Sequence, residues 1–262
     1  MFTPTLRFPR RLLPLLITGA CAVGLAGCNT DMMTYSKDAE QAGLAQMNDG
    51  KYADAAGSFQ NSVRQDPTNY KTRFYLAECA EQTQQYTLAI HSYKACLDLL
   101  PSTLAGQEDT TTHEQAMDNM ARLLARVDEN SAQTDLLLQE AEQSHSPDYF
   151  RVVARAFRYK SDADTALDVY HRALLVDEHN FDINKEYGLY LVRLGQTDKA
   201  SQPLREAYRS NQSDAQVNAG LRQIGINPGP ALMPAGPTAN PVMPRGPGDS
   251  IGATDEAPIP HN

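Results

Sequence analysis

The sequence predicts an all-α protein made of about five stacked helix pairs, closed by a capping helix and followed by a tail with no regular structure. Three observations carry this. Ala55, Ala89, Ala132, Ala166 and Ala200 stand 34, 43, 34 and 34 residues apart, and self-similarity at a period of this size marks a row of repeated supersecondary units. The composition is poor in strand formers, with 7% aromatic residues and no Trp, while Ala, Leu, Gln and Glu, all good helix formers, are plentiful. Residues 227–262 hold nine Pro and five Gly with no apolar period, a composition that cannot bury a core and leans toward extended polyproline conformations.

Residues 1–27 are set apart as an export signal. Arg7, Arg10 and Arg11 precede an apolar run from Leu12 to Leu25 that Pro14 and Gly19 interrupt, so the stretch is too short and broken for a stable membrane span. It ends Leu25-Ala26-Gly27-Cys28. This ending resembles the lipobox of bacterial lipoproteins, which implies diacylation of Cys28 and cleavage just before it. Two or more acyl chains give lasting anchorage, so the mature chain is expected to be tethered to a membrane without spanning it, residues 28–35 serving as the tether. Asn29, where Asp would retain a lipoprotein on the inner membrane, implies by the same resemblance the outer membrane, facing the periplasm.

Within residues 36–226 the units follow in order. The first, 36–69, places Gly43, a Gly50-Lys51-Tyr52 turn, Ala55, Phe59, Ser62 and Pro67 on successive rungs; the second, 70–103, places Leu76, Ala77, Tyr86, Ala89, Tyr93, Cys96 and Pro101 there. The polar stretch 104–112 accounts for the nine extra residues as an insertion. The unit 113–146 is degenerate: it keeps Met120, Leu123, Ala132 and Leu136 but has Asn119 and Gln139 where apolar or small residues belong. The fourth, 147–180, carries Val153, Ala154, Phe157, Ala166, Tyr170 and Ala173, and the fifth, 181–214, carries Gly188, Gly195, Ala200, Leu204 and Ala207. Residues 215–226 read as the capping helix that a solenoid needs over its last apolar face. Small residues let paired helices approach, aromatic ones fill between them, and each unit buries its face only against neighbours.

This rung pattern resembles the tetratricopeptide repeat over about 190 residues. The resemblance implies a right-handed α-solenoid whose first helices line a concave groove. It also aligns the chain in layout with repeat lipoproteins of pilus assembly and outer-membrane protein insertion.

Charge and motifs narrow the function. Removing the signal takes away three of the 23 basic residues and none of the 32 acidic ones, leaving 20 against 32 and a net charge of −12, which disfavours nucleic acid as a partner. No phosphate loop, dinucleotide glycine pattern, zinc-binding His pair or nucleophile elbow occurs, so the sequence argues against an enzyme and calls for no cofactor or metal. Of the four cysteines only Cys79 and Cys96 remain in the folded part, and they read as two buried free thiols, the alternative being a disulfide, which helix axes about 8–10 Å apart disfavour.

Function is then expected on the groove. Arg151, Arg155 and Arg158 share a stripe at i, i+4 and i+7. Tyr159 stands beside them, and Lys185 and Arg193 occupy the matching face of the next first helix. This predicts a basic patch for an acidic peptide or a chain's terminal carboxylate, the alternative being a solvated face paired with Asp148 and Asp162. At the other end the matching faces carry Leu44, Met47 and Phe74 with Glu78 and Glu81, an apolar and acidic half. The predicted role is a membrane-anchored scaffold or assembly factor for an envelope machine such as a pilus or secretion system. An adaptor regulating a cell-wall enzyme is the alternative, suggested by the tail.

Overall fold

The computed structural model describes residues 28–100, 107–128 and 132–232. Eleven α-helices and a short 3₁₀ turn make up the described residues, and none of those helices is long and apolar enough to cross a membrane. The chain divides into two compact units, one ending at Val176 and one beginning at Asp177.

The first unit holds α1 (Cys28–Asn48), α2 (Tyr52–Gln65), α3 (Tyr70–Gln82), α4 (Tyr86–Leu99), α5 (Gln107–Val127), α6 (Ala132–Ser144), α7 (Pro147–Tyr159) and α8 (Ala163–Val176). α1 pairs with α2, α3 with α4 and α7 with α8, and α2 packs on α3 and α4 on α5. The second unit holds α9 (Phe181–Arg193), α10 (Thr197–Ser210) and α11 (Ala215–Gln223), with α11 covering both partners. Pro230–Leu232 form the 3₁₀ turn, and Leu232 is buried. The start of the expected tail therefore folds onto α10, where Arg209 Nε donates to the Leu232 carbonyl; residues 233–262 lie outside the described residues.

The sequence period reappears in the backbone. Gly50, Gln84, Ser161 and Gly195 all have φ between 60° and 76°, each at the turn inside a helix pair. The N–H that follows reaches back five residues in every case, as Lys51 does to Gln46 and Asp162 to Phe157, closing the Schellman-type end that a left-handed residue permits. The first helices start alike: Asn69, Ser146, Asn180 and Asp214 each cap a free backbone N–H with a side-chain oxygen. Ala55, Ala89, Ala166 and Ala200 are fully buried, and so are Phe59, Tyr93, Tyr170 and Leu204 on the next rung. Gly43 and Gly188 mark the closest approaches, since a Cβ at Gly188 would sit 2.7 Å from Leu204 Cγ and 3.2 Å from its backbone nitrogen.

The third unit departs from this plan further than its sequence suggested. Residues Gln107–Thr112, expected in an insertion, are the first turns of α5, where the acidic Asp109 suits a helix N-terminus. Ala132 and Leu136 keep the spacing but not the burial: both are exposed, and Thr134, Leu137, Leu138 and Ala141 face inward instead. α6 thus packs on α7, while α5 packs on α4 and directly against α7. The expected tether is likewise replaced by structure, because α1 is helical from Cys28 onward.

Candidate protein-binding face

The first helices α1, α3, α5 and α7 are tied to one another along one face by polar side chains. Asn69 Nδ2 donates to Glu40 Oε2 at 3.0 Å, joining the start of α3 to α1. Asp109 on α5 accepts from the Tyr70 hydroxyl and lies 3.9 Å from Lys71 Nζ. Farther along, Arg126 of α5 pairs with Glu81 at 3.0 Å, and Asn119 donates to the Tyr93 hydroxyl at 3.2 Å. Between α5 and α7, Glu114 takes Arg151 Nη2 on one oxygen at 2.6 Å and Arg155 Nη2 on the other at 2.7 Å. His113 Nε2 lies 3.0 Å from Asp148 Oδ2, both groups buried.

This corrects the expected basic patch. Arg151 is 3% exposed; it is held by Glu114 and lies 3.7 Å from Asp148. Arg155 is turned into the same α5–α7 joint. Arg158 Nη1 donates to the Tyr170 hydroxyl at 3.0 Å. These are short ionic and polar contacts made inside one unit, so the three residues do not present an open stripe. Burial alone would push the Glu114 carboxyl upward, but the charges and hydrogen bonds of Arg151 and Arg155 hold it below its ordinary 4.5. Tyr159 keeps an exposed ring while its hydroxyl donates to Asp118. Lys185 and Arg193 belong to the other unit, where Lys185 pairs with Asp214 at 2.7 Å and Arg193 is exposed.

The opposite half is corrected in another sense. Phe74 is core, edge-on to Tyr75 and Tyr93, and Leu44 and Met47 are half-buried against Ala55, Ala56, Phe59, Leu76 and Cys79. What remains available there is Glu78. Among the described residues it is the one carboxylate at least partly buried that has neither a hydrogen bond nor an ion pair; its charged neighbour is Glu81, of like sign. Burial first, and then Glu81, push its pKa up. The Tyr93 hydroxyl, 3.4 Å from Glu81, is raised by burial and then by both glutamates. Glu78 is therefore a carboxylate of α3 without a counter-charge, beside Glu81, which Arg126 already pairs.

Cys79 and Cys96 are free and fully buried, and burial raises their thiols to about 11 and about 12, which keeps them protonated and unreactive at neutral pH. Cys28 is the first residue of α1.

Residues 41–102 and 154–215 match the family model of the tetratricopeptide repeat. The curated proteins yield no match. Solved structures similar to this chain include MamA from Desulfovibrio magneticus RS-1, 13% identical over 70% of this chain and 99% of that one with a TM-score of 0.36. PilF of Pseudomonas aeruginosa is 14% identical over 74% and 85%, with a TM-score of 0.38. YrrB, described as having an unusual peptide-binding site, is 11% identical over 76% and 100%, with a TM-score of 0.38.

Proposed function

We propose that this chain, which carries tetratricopeptide repeats at both ends of its folded part, is a membrane-tethered scaffold that captures a basic residue of a partner protein on α3 and serves the assembly of an envelope machine such as a pilus or secretion system. The repeat is a protein-interaction fold, and the charge on α3 points to the class of partner. The observation that supports a basic one is the state of Glu78: half-buried, without a partner and raised in pKa by burial and Glu81. A Lys or Arg side chain, or a chain's amino terminus, set between Glu78 and Glu81 removes a like-charge repulsion and forms charge-assisted hydrogen bonds. The anchor is part of the same reading: the Leu-Ala-Gly-Cys ending supports acylation of Cys28, and Asn29 after it supports the outer membrane.

The site is tested with extended apolar peptides bearing a central Arg, a central Glu or neither. The Arg peptide is expected to bind, and Glu78→Gln to weaken it at least about tenfold, roughly 1.4 kcal/mol, in line with one lost charged hydrogen bond. Equal affinity for wild type and variant, or preference for the Glu peptide, overturns the assignment. The role is tested by crosslinked capture from detergent-solubilised envelopes. Secretin, pilin or insertion-machine subunits are expected; wall hydrolases or synthases in their place make the chain an adaptor instead. Cys28→Ser is expected to release the protein from the membrane fraction or to leave precursor, and unchanged processing and attachment removes the anchor.

A further inference from the structure

We infer that the anchored end of this protein is a stiff stub rather than a leash, and that it seats the first repeat on the bilayer with Tyr35 in the lipid headgroup layer. The inference rests on acylation of Cys28 as proposed above and adds what the helix does with it. α1 runs unbroken from Cys28 to Asn48. Its docked part begins at Ser36, which is buried, takes a hydrogen bond on its carbonyl from Ser62 Oγ at 3.0 Å and faces the same hydroxyl at 3.3 Å. Seven residues farther on, Gly43 lies so close beneath the Phe59 ring that a Cβ there would come within 2.7 Å of it. From Ser36 onward α1 is therefore fixed to α2.

Eight residues of helix separate Cys28 from Ser36, a rise of about 12 Å, whereas the same eight residues as free chain could reach about 28 Å. Acyl chains hold Cys28 at the level of the lipid glycerols, and the headgroup layer above it is only about 5–7 Å thick. Tyr35 is seven residues along, about 10 Å up an upright helix. Helix side chains slant back toward the N-terminus, so the exposed Tyr35 ring, 66% accessible in the protein, reaches down into that layer, where an aromatic ring with a polar tip is favoured. The acidic mature chain gives no attraction to anionic lipid of its own, so this contact depends on the covalent anchor. A protein held this way cannot swing out on a tether; its partner must present the captured segment close to the same membrane.

The chain has no Trp, so Tyr35→Trp places a single reporter. The lipidated, mature variant is reconstituted into vesicles of phosphatidylethanolamine and phosphatidylglycerol containing headgroup-spin-labelled lipid. The indole of Tyr35→Trp is expected to emit at shorter wavelength and to lose most of its fluorescence, while that of Leu136→Trp, on the exposed face of α6, keeps its own. A Gly/Ser linker of about twelve residues inserted after Asn29, spanning roughly 20 Å, is expected to abolish quenching of the Tyr35→Trp reporter without reducing flotation with the vesicles. An unquenched reporter in Tyr35→Trp protein that floats and carries the acyl mass overturns the stub and leaves the anchor standing. Protein that neither carries the acyl mass nor floats overturns both.

Discussion

The α3 end and the α7 end of the first-helix row carry opposite charges and have opposite fates. On α7, Arg151 and Arg155 share the two oxygens of Glu114, so two of its three arginines hold α5 to α7. On α3, Glu78 has no counterpart and sits beside Glu81. Charge density along a helix therefore says little about where a partner binds. The lone acid, not the run of arginines, is the group left without a counter-charge.

The largest expected effect comes from breaking the α7 end. Glu114→Ala takes from the buried Arg151 a carboxylate 2.6 Å away and strips Arg155 of the same group. Removing one member of a fully buried pair costs about 3–5 kcal/mol; Glu114 is itself 40% exposed and Arg151 keeps Asp148 at 3.7 Å, so screening lowers the expected loss in urea unfolding to about 2 kcal/mol. A change under about 0.5 kcal/mol, typical of surface pairs, would mean that the joint is held by packing alone.

How far this contrast could be seen in the sequence depends on the element. The 34-residue rungs located the helix pairs, because burial of Ala55, Phe59, Ala166 and Tyr170 is decided by neighbours inside one repeat or the next. The stripe of arginines was visible too, since i, i+4 and i+7 fix a helical face. What stands opposite that face is not encoded in one helix. It depends on α5 beginning six residues early and on α6 turning Leu137 and Leu138, rather than Leu136, toward α7, and both follow from the degenerate third unit. Glu114, at the start of that unit, was the available clue, an acid that the adjacent first helix could set against Arg151 and Arg155. The helical face of Phe74 points to the groove, yet two tyrosines from the first and second helices of its own repeat enclose it.

The two ends also differ in how they respond to acid. Glu114 is held below 4.5 in the fold, so its contribution is present above the unfolded value and is lost as pH falls through the lower folded one. Glu78 is raised, so its protonated form is the better folded one, and stability declines as pH rises from about 4.5 through its folded value. Measured by urea unfolding across this window, Glu114→Gln should flatten the loss on the acid side and Glu78→Gln the decline on the neutral side. Two variants with parallel pH profiles would show that these carboxyls titrate alike and that the contrast is absent.

The smallest effect is the most discriminating, because its sign differs between stability and binding. At neutral pH, Glu78→Gln removes a half-buried charge that burial and Glu81 disfavour, while keeping the shape of the side chain and its apolar stem. Partial exposure screens the penalty, so the expected gain is about 0.5 kcal/mol, visible as a slightly higher urea midpoint with an unchanged slope. The same substitution is expected to weaken capture of the Arg-bearing peptide at least about tenfold. A residue whose loss steadies the fold and weakens binding is one whose destabilisation is kept for its ligand. If Glu78→Gln lowers the midpoint instead, the carboxylate has a stabilising contact within the protein, and α3 offers a partner no more than α7 does.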